Sequence, residues 1–322
     1  MIRAAIVGLG WWGQNLVNAV RDRGDLIRFT TAHTRHAETA AEFCRAHDLR
    51  WVCSLDAVVL ATPHSAHADQ VMRAAAAGKS VFVEKPFTLS VAEASAAIEA
   101  ADRAGIVLAV GFNRRFSPSM GHLRRAVRDG TLGTIVTAIS EQSALHGLTL
   151  AADAWRAFPD ETPGGAMTQV GVHQVDGMID LLGRIRDVTA RVTRRAAPNG
   201  DDTTSLLLGF ESGATGLLFC SVAATPHYRM AVYGTGGLGE VLGHQMPVYR
   251  LTPAAEPGAL HAGPPQEIQT PGFNMLTAEL TEFARCVQQQ RAFPTPLAEI
   301  LHGVAVFQAV LRSARTGETV RV

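Results

Sequence analysis

Ala4-Ala5-Ile6-Val7-Gly8-Leu9-Gly10-Trp11-Trp12-Gly13-Gln14-Asn15-Leu16 governs how the rest of the chain is read. An apolar run ends at Gly8, further glycines follow at Gly10 and Gly13, and a helical pattern begins at once. This is G-x-G-x-x-G set between a strand and a helix. Gly8 permits the tight turn, Gly10 lets a pyrophosphate approach the backbone, and Gly13 lets the helix pack closely on the strand. The helix start adds unbonded N–H groups and a positive dipole end. Gly8, Leu9, Gly10, Trp11, Trp12 and Gly13 are therefore read as the phosphate turn of a dinucleotide site. A bare match to the motif also arises in structural turns, and its place between strand and helix is what favours the cofactor reading.

Outward from this turn, strand and helix patterns alternate to about residue 128. Strands are read at 2–7, 27–32, 57–61, 80–83 and 106–111, and helices at 12–21, 36–47, 65–77 and 91–103. The alternation predicts an α/β domain, a parallel sheet with helices on both faces. Ligands in such a domain sit at the carboxyl ends of the strands, so the loops there carry the chemistry.

After the second strand the sequence is Ala32-His33-Thr34-Arg35-His36. It lacks the carboxylate that would take the adenosine ribose of NAD(H). Thr34 and Arg35 suit a 2′-phosphate instead, so NADP(H) is expected in preference to NAD(H). The other reading of Arg35 is a solvated residue at a helix start. After the third strand comes Ala61-Thr62-Pro63-His64-Ser65-Ala66-His67. Pro63 sets the backbone for the next helix, and Ala61, Thr62, Pro63 and His67 are assigned to the cofactor. The i, i+3 spacing of His64 and His67 raises zinc. No third ligand stands near, and no metal is expected.

Val83-Glu84-Lys85-Pro86-Phe87 follows the fourth strand. Glu84 and Lys85 fall at the cofactor edge. The Lys85 ammonium can hydrogen-bond a substrate oxygen and stabilise an alkoxide; a Glu–Lys surface pair is the alternative. Gly111-Phe112-Asn113-Arg114-Arg115-Phe116 follows the fifth strand and mixes aromatic and basic residues at the same edge.

The pattern changes near residue 119. Strands at 188–194, 203–209, 214–222 and 228–234 succeed one another without helices, which predicts an antiparallel sheet joined by turns such as Asn199-Gly200 and Ser212-Gly213. Residues 244–272 are proline-rich and read as a long excursion, with helices at 273–289 and 296–316. The chain is thus divided into a cofactor domain, 1–118, and an α+β substrate and oligomerisation domain, 119–322. A flat sheet face needs covering, so a homodimer or homotetramer through this sheet is expected. The segment 166–182 reads as a helix. Gln169, His173 and Asp176 fall at i, i+4 and i+7 on one of its faces. A lone buried histidine is usually a satisfied core group, but three aligned polar residues point to a site.

The 322 residues are 47% hydrophobic with a net charge of +0, which gives no footprint for nucleic acid. Cys44, Cys53, Cys220 and Cys286 lack C-x-x-C spacing and read as reduced, cytoplasmic thiols. The first strand begins at Ile2, leaving no room for a signal peptide. No apolar segment is read as long enough to cross a bilayer.

Taken together, G-L-G-W-W-G-Q-N, A-T-P-H-S-A-H, A-A-A-G-K-S-V-F-V-E-K-P and G-F-N-R-R-F resemble the Gfo/Idh/MocA oxidoreductases, the glucose–fructose oxidoreductase and inositol dehydrogenase family, over essentially the whole chain. The resemblance implies an N-terminal Rossmann domain and a C-terminal domain with a large open, mainly antiparallel sheet often used for subunit association. It implies that His173 matches the catalytic histidine, Lys85 the E-K-P lysine and Asp176 a substrate-contacting acid. Many sugar and inositol dehydrogenases of the family carry aspartate where this chain has Gln169. Glutamine cannot take a proton, though it can hydrogen-bond a hydroxyl or orient His173. The run Gln169-x-Gly171-x-His173-Gln174-Val175-Asp176 resembles the phthalate dihydrodiol dehydrogenase branch, which opens an aromatic or cyclic diol as substrate.

The expectation is hydride transfer between nicotinamide and a carbinol carbon of a sugar, inositol or other cyclic polyol. His173 is the general base and Lys85 polarises the oxygen. Gln169 and Asp176 position hydroxyls together with Asn113, Trp155 and Arg156. The rivals are an NAD-dependent glycosidase working through transient oxidation and a non-catalytic dinucleotide sensor.

Overall fold

β1 (Ile2–Val7) carries the glycine turn at its carboxyl end and pairs in parallel on both sides, with β2 (Ile27–His33) and β3 (Ala57–Leu60). β4 (Ser80–Val83) and β5 (Leu108–Val110) extend the sheet in the order β2-β1-β3-β4-β5. In this computed structural model, which describes residues 1–21, 25–34, 37–49, 55–256 and 258–322, the register sets Val7, Leu60, Val83 and Val110 side by side. The loops that follow them therefore leave from one edge. Strands buried on both faces need continuous apolar sequence. Ser80-Val81-Phe82-Val83 is buried at all four positions. Helices α1 (Trp11–Arg21), α2 (Ala37–Ala46), α3 (His67–Ala76) and α4 (Val91–Ala104) connect the strands. Local signals bound α4: the Ser90 hydroxyl accepts from Glu93 N–H at its start, and Gly105 takes a left-handed φ of 63° at its end.

A second sheet has nine strands. They are β6 (Ile135–Ser143), β7 (Ile185–Thr193), β8 (Thr203–Phe210), β9 (Thr215–Ser221), β10 (His227–Gly234), β11 (Gly237–Leu242), β12 (Val248–Pro253), β13 (Gln266–Gln269) and β14 (Val320–Arg321). Their order is β13-β12-β11-β10-β6-β9-β8-β7-β14, antiparallel except for the parallel β6–β9 pair. Alternation sends Leu206, Leu208, Leu218 and Cys220 inward and leaves Leu207, Leu217 and Phe219 exposed on the other face. Helix α5 (Pro118–Arg128) packs on β11 and β12, and α6 (Val172–Leu182) on β6. Two glycines let the α6 segment lie close to the strands. A Cβ on Gly171 would come 3.0 Å from Cys220 Sγ, and one on Gly177 3.1 Å from Met230 Cε. Gln174 then ties α6 to the sheet, donating to Ser140 Oγ at 2.9 Å and to the Phe219 carbonyl at 3.2 Å.

Two sequence expectations change here. The excursion at 244–272 contains β12 and β13. The edge strand Gln266-Glu267-Ile268-Gln269 is exposed throughout, so it carries no buried–exposed alternation to read. The helix read over 166–182 opens with a π turn, Met167–Gly171, before α6 begins.

Helix α7 (Met275–Gln289) packs on α1 and β1, its Thr277 hydroxyl donating to the Ala19 carbonyl and Phe283 meeting Phe82 edge-on. Close contacts thus divide the chain into two units, residues 1–113 with 274–304 and residues 114–273 with 305–322. The division read from sequence, a single cut between 118 and 119, treats the units as consecutive, whereas 274–304 join the first. Helix α8 (Leu297–Thr316) is long and apolar enough by length and composition to span a bilayer, whereas the sequence reading expected no such segment. Its His302, Val306, Phe307, Val310 and Ser313 are buried within the protein.

Candidate active site

The glycine turn is built by exclusion. Gly8 has a φ of +94°, and a Cβ there would lie 2.4 Å from the Ala61 carbonyl oxygen. A Cβ on Gly13 would lie 1.9 Å from the Gly8 carbonyl oxygen. Both glycines are therefore needed for the turn to close against α1 and the loop after β3. Gly10 is exposed, and a Cβ there would meet nothing within 4 Å. The turn is held by Gly8 N–H to the His33 carbonyl at 2.8 Å and Gln14 Nε2 to the Leu9 carbonyl at 3.2 Å. Leu9 is buried, Trp11 is exposed, and Trp12 is half-buried with its ring 5.5 Å from that of Trp11. A closed turn with one open glycine at the start of an eleven-residue helix fits a dinucleotide phosphate. Thr34 is half-buried just past the end of β2; Arg35 lies outside the described residues.

The neighbouring loops are linked in series. Ala61 backs onto Gly8 and Gly13. Thr62 donates its hydroxyl to Gln70 Oε1 at 2.7 Å, so that group serves the α3 turn. Pro63 precedes the short turn His64–Ala66. His67 is fully buried, its Nε2 3.1 Å from the Thr62 carbonyl and its Nδ1 2.9 Å from the Pro86 carbonyl. Both nitrogens face backbone oxygens, which occupies the positions a metal would need. Among the described residues no three His, Cys, Asp or Glu side chains gather to hold a metal ion.

His67 thus joins the loop after β3 to the loop carrying Lys85, which is half-buried at the carboxyl end of β4. Glu84 is buried rather than solvated, and its carboxylate lies close against Gly111, where a Cβ would come 3.0 Å from Glu84 Oε1. Asn113 is half-buried in the turn beyond β5.

In the second unit His173 is buried on the first turn of α6. The expected convergence of three polar groups on one face is altered by the π turn, whose i→i+5 bonding breaks the α spacing between 169 and 173. Gln169 accepts from His146 Nε2 at 2.9 Å, and Asp176 is held by Arg115. Arg114 donates to Gln142 Oε1 at 2.6 Å and lies 4.8 Å from the Tyr228 ring centroid. Burial pushes the Arg114 guanidinium below its usual value, against the pull of Tyr228 and Asp176. Trp155 is half-buried beneath the exposed Arg156, whose guanidinium stacks 4.1 Å from its ring centre.

Sequence reasoning missed His146 and the pairing of Arg115 with Asp176. Arg115 had a signal, as one of two adjacent arginines at the edge after β5. His146 had none, lying 23 residues from Gln169 without a motif.

Residues 2–112 match the oxidoreductase family with an NAD-binding Rossmann fold, and residues 120–239 match the GFO/IDH/MocA C-terminal domain. The chain belongs to the Gfo/Idh/MocA oxidoreductase family. It is an NAD(P)-binding oxidoreductase of that family. D-apiose dehydrogenase of Paraburkholderia graminis is 27% identical, over 99% of this chain and 89% of its own length. The NAD(+)-dependent scyllo-inositol 2-dehydrogenase of Bacillus subtilis is 30% identical over 73% of this chain and 68% of its own. Among solved structures, aldose-aldose oxidoreductase from Caulobacter crescentus superimposes with a TM-score of 0.88 at 23% identity, covering 100% of this chain and 99% of that one. That likeness is one of fold.

Proposed function

We propose that this protein is an NADP(H)-preferring dehydrogenase acting on a carbinol carbon of a sugar, inositol or other cyclic polyol. The observation that carries the reading is Lys85, half-buried at the carboxyl end of β4 on a loop tied down by His67. An ammonium so placed suits a substrate oxygen that gains negative charge. Bound nicotinamide supplies the hydride acceptor. In oxidation His173 takes the hydroxyl proton while Lys85 donates to the oxygen, so the substrate loses one hydride and one proton. Gln169, Asp176, Asn113, Trp155 and Arg156 hold the remaining hydroxyls. The dehydrogenases of apiose and scyllo-inositol among its relatives support a polyhydroxylated substrate.

The preference for NADP(H) rests on the absence of a carboxylate in Ala32-His33-Thr34-Arg35. Titrating NADPH and NADH against tryptophan fluorescence, with Trp11 and Trp12 at the glycine turn as reporters, tests it. Tighter NADH binding would overturn the preference and leave the dehydrogenase reading intact. For the chemistry, Lys85→Ala and His173→Ala should each cut turnover by about 10²–10⁴-fold with little change in cofactor affinity. Near-normal turnover in both would sink the assignment. The exposed Leu207, Leu217 and Phe219 on one sheet face support self-association, which light scattering of the purified protein measures.

A further inference from the structure

We propose that His146 is a positioning residue that fixes the side-chain amide of Gln169, so that residue 169 meets the substrate with a hydrogen-bond donor. The proposal rests on the polyol dehydrogenase reading and deepens it: this position recognises an oxygen lone pair, not a hydroxyl proton.

His146 Nε2 and Gln169 Oε1 are 2.9 Å apart. Two acceptors at that distance would repel, so the ring nitrogen carries a proton and donates. An amide is planar, with its oxygen and nitrogen on opposite branches. Holding Oε1 against His146 turns Nε2 away from it.

Both partners stand on seats that resist movement. The turn bearing His146 is clamped by Ala144 N–H to the Ser221 carbonyl at 2.9 Å and Gly147 N–H to the Val222 carbonyl at 2.8 Å. A Cβ on Gly147 would lie 2.6 Å from Val222 Cγ2, so this backbone sits flush against its neighbour. Further along, Asn199 Nδ2 donates to the Leu150 carbonyl at 2.9 Å. Gln169 N–H donates to the Gly165 carbonyl at 3.1 Å, and a Cβ on Gly165 would come 1.8 Å from the Asp201 carbonyl oxygen. A hydrogen bond between two seated groups loses little entropy on forming, and it sets orientation at small cost.

Glutamine exchanges no proton, so residue 169 acts only through this polarity. A donor suits the lone pair of a hydroxyl that does not react, or of a ring oxygen, and holds it equally before and during the reaction.

Two measurements on the full chain test the pair. Nitrogen NMR of the ¹⁵N-histidine-labelled protein should show His146 Nε2 protonated and shifted by Gln169→Ala. An unprotonated Nε2, or a signal indifferent to Gln169→Ala, would overturn the proposal whatever the enzyme's activity.

The second measurement is kinetic, with NADP(+) and the probes scyllo-inositol, myo-inositol and D-xylose. His146→Ala should raise KM about tenfold, the worth of one hydrogen bond, with kcat and NADPH affinity nearly unchanged. His146→Gln, whose Nε2 can stand where the ring nitrogen stood, should restore KM. An unchanged KM in His146→Ala, or His146→Gln behaving like His146→Ala, would overturn it. Wild-type protein that oxidises none of the probes counts against the dehydrogenase reading, and the NMR result still decides the pair.

Discussion

Asp176 sits in the fork of Arg115, whose Nε and Nη2 reach its two carboxylate oxygens at 2.7, 2.9 and 3.1 Å. Both side chains are buried, 8% and 6% exposed, and one helical turn on Asp180 takes Arg124 in the same way. Any hold Asp176 has on a substrate hydroxyl works through a carboxylate that already secures α6.

Removing one member of this pair should therefore unfold the protein more readily before it alters specificity. Asp176→Asn or Asp176→Leu takes the close bidentate partner from a buried guanidinium and leaves it only the longer 3.6 Å contact with Asp180, at a cost of about 3 kcal/mol. Arg115→Met combined with Asp176→Leu removes both charges and should recover most of that loss. Urea unfolding of the single and double variants measures it. A double variant as unstable as Asp176→Leu would contradict this account.

The three glycines of the first turn should separate folding from binding. Gly8→Ala and Gly13→Ala drive a methyl into backbone at 2.4 Å and 1.9 Å and should destabilise the first unit. Gly10→Ala meets nothing and should keep its melting temperature, within about 0.5 kcal/mol of wild type. If Gly10 faces the cofactor as proposed, the substitution should still weaken NADPH by about tenfold or more, because the methyl would stand where a phosphate approaches. Calorimetry and thermal melts on the same preparations show whether the two effects part company.

His67 offers a different division. His67→Ala leaves the Thr62 and Pro86 carbonyls without their buried partner, costing about 1–3 kcal/mol. It also loosens the loop of Lys85, so kcat should fall further than NADPH affinity. His67→Gln can answer at most one carbonyl well and should lie between. Equal losses in kcat and cofactor affinity would argue that His67 serves the cofactor alone.

Acid should weaken the scaffold behind the π turn. Burial of Asp202 opposes its ionisation. The N–H groups of Ala196, Ala197 and Arg195, at 2.6, 2.8 and 2.8 Å, and the Thr203 hydroxyl outweigh it, holding the carboxyl below its ordinary value. A carboxyl depressed in the folded state stabilises that state above the ordinary carboxylate range. The contribution is lost as pH falls through the depressed value. Asp202→Asn should be less stable than wild type at neutral pH, and the gap should close in acid. A gap that persists at low pH would mean that the amide's packing, not the charge, accounts for the difference.

Much of the first unit could be read directly because its signals are local. Strand, glycine turn and helix follow one another in sequence, and Ser90 and Gly105 mark the ends of α4 within a few residues. The second unit was legible in outline, through the alternation of 203–210 and 215–221. Its details depend on residues distant in sequence. The π turn owes its seat to Gly165 against Asp201, and the orientation of Gln169 to His146. The exposed edge strand β13 carries no pattern, and α7 gives no hint in its own sequence that it serves the first sheet.

That last feature bears on how the protein is made. Thr277 bonds Ala19 across 258 residues, and Phe283 covers Phe82. At roughly 5–20 residues per second, α7 leaves the ribosome on the order of ten to thirty seconds after residue 113. The nucleotide-binding sheet must wait that long with its α1 side bare while all but the last strand of the second sheet is translated. A nascent chain stalled before residue 275 would present chaperones with a half-dressed sheet, and a gene cut after residue 118 would express one permanently.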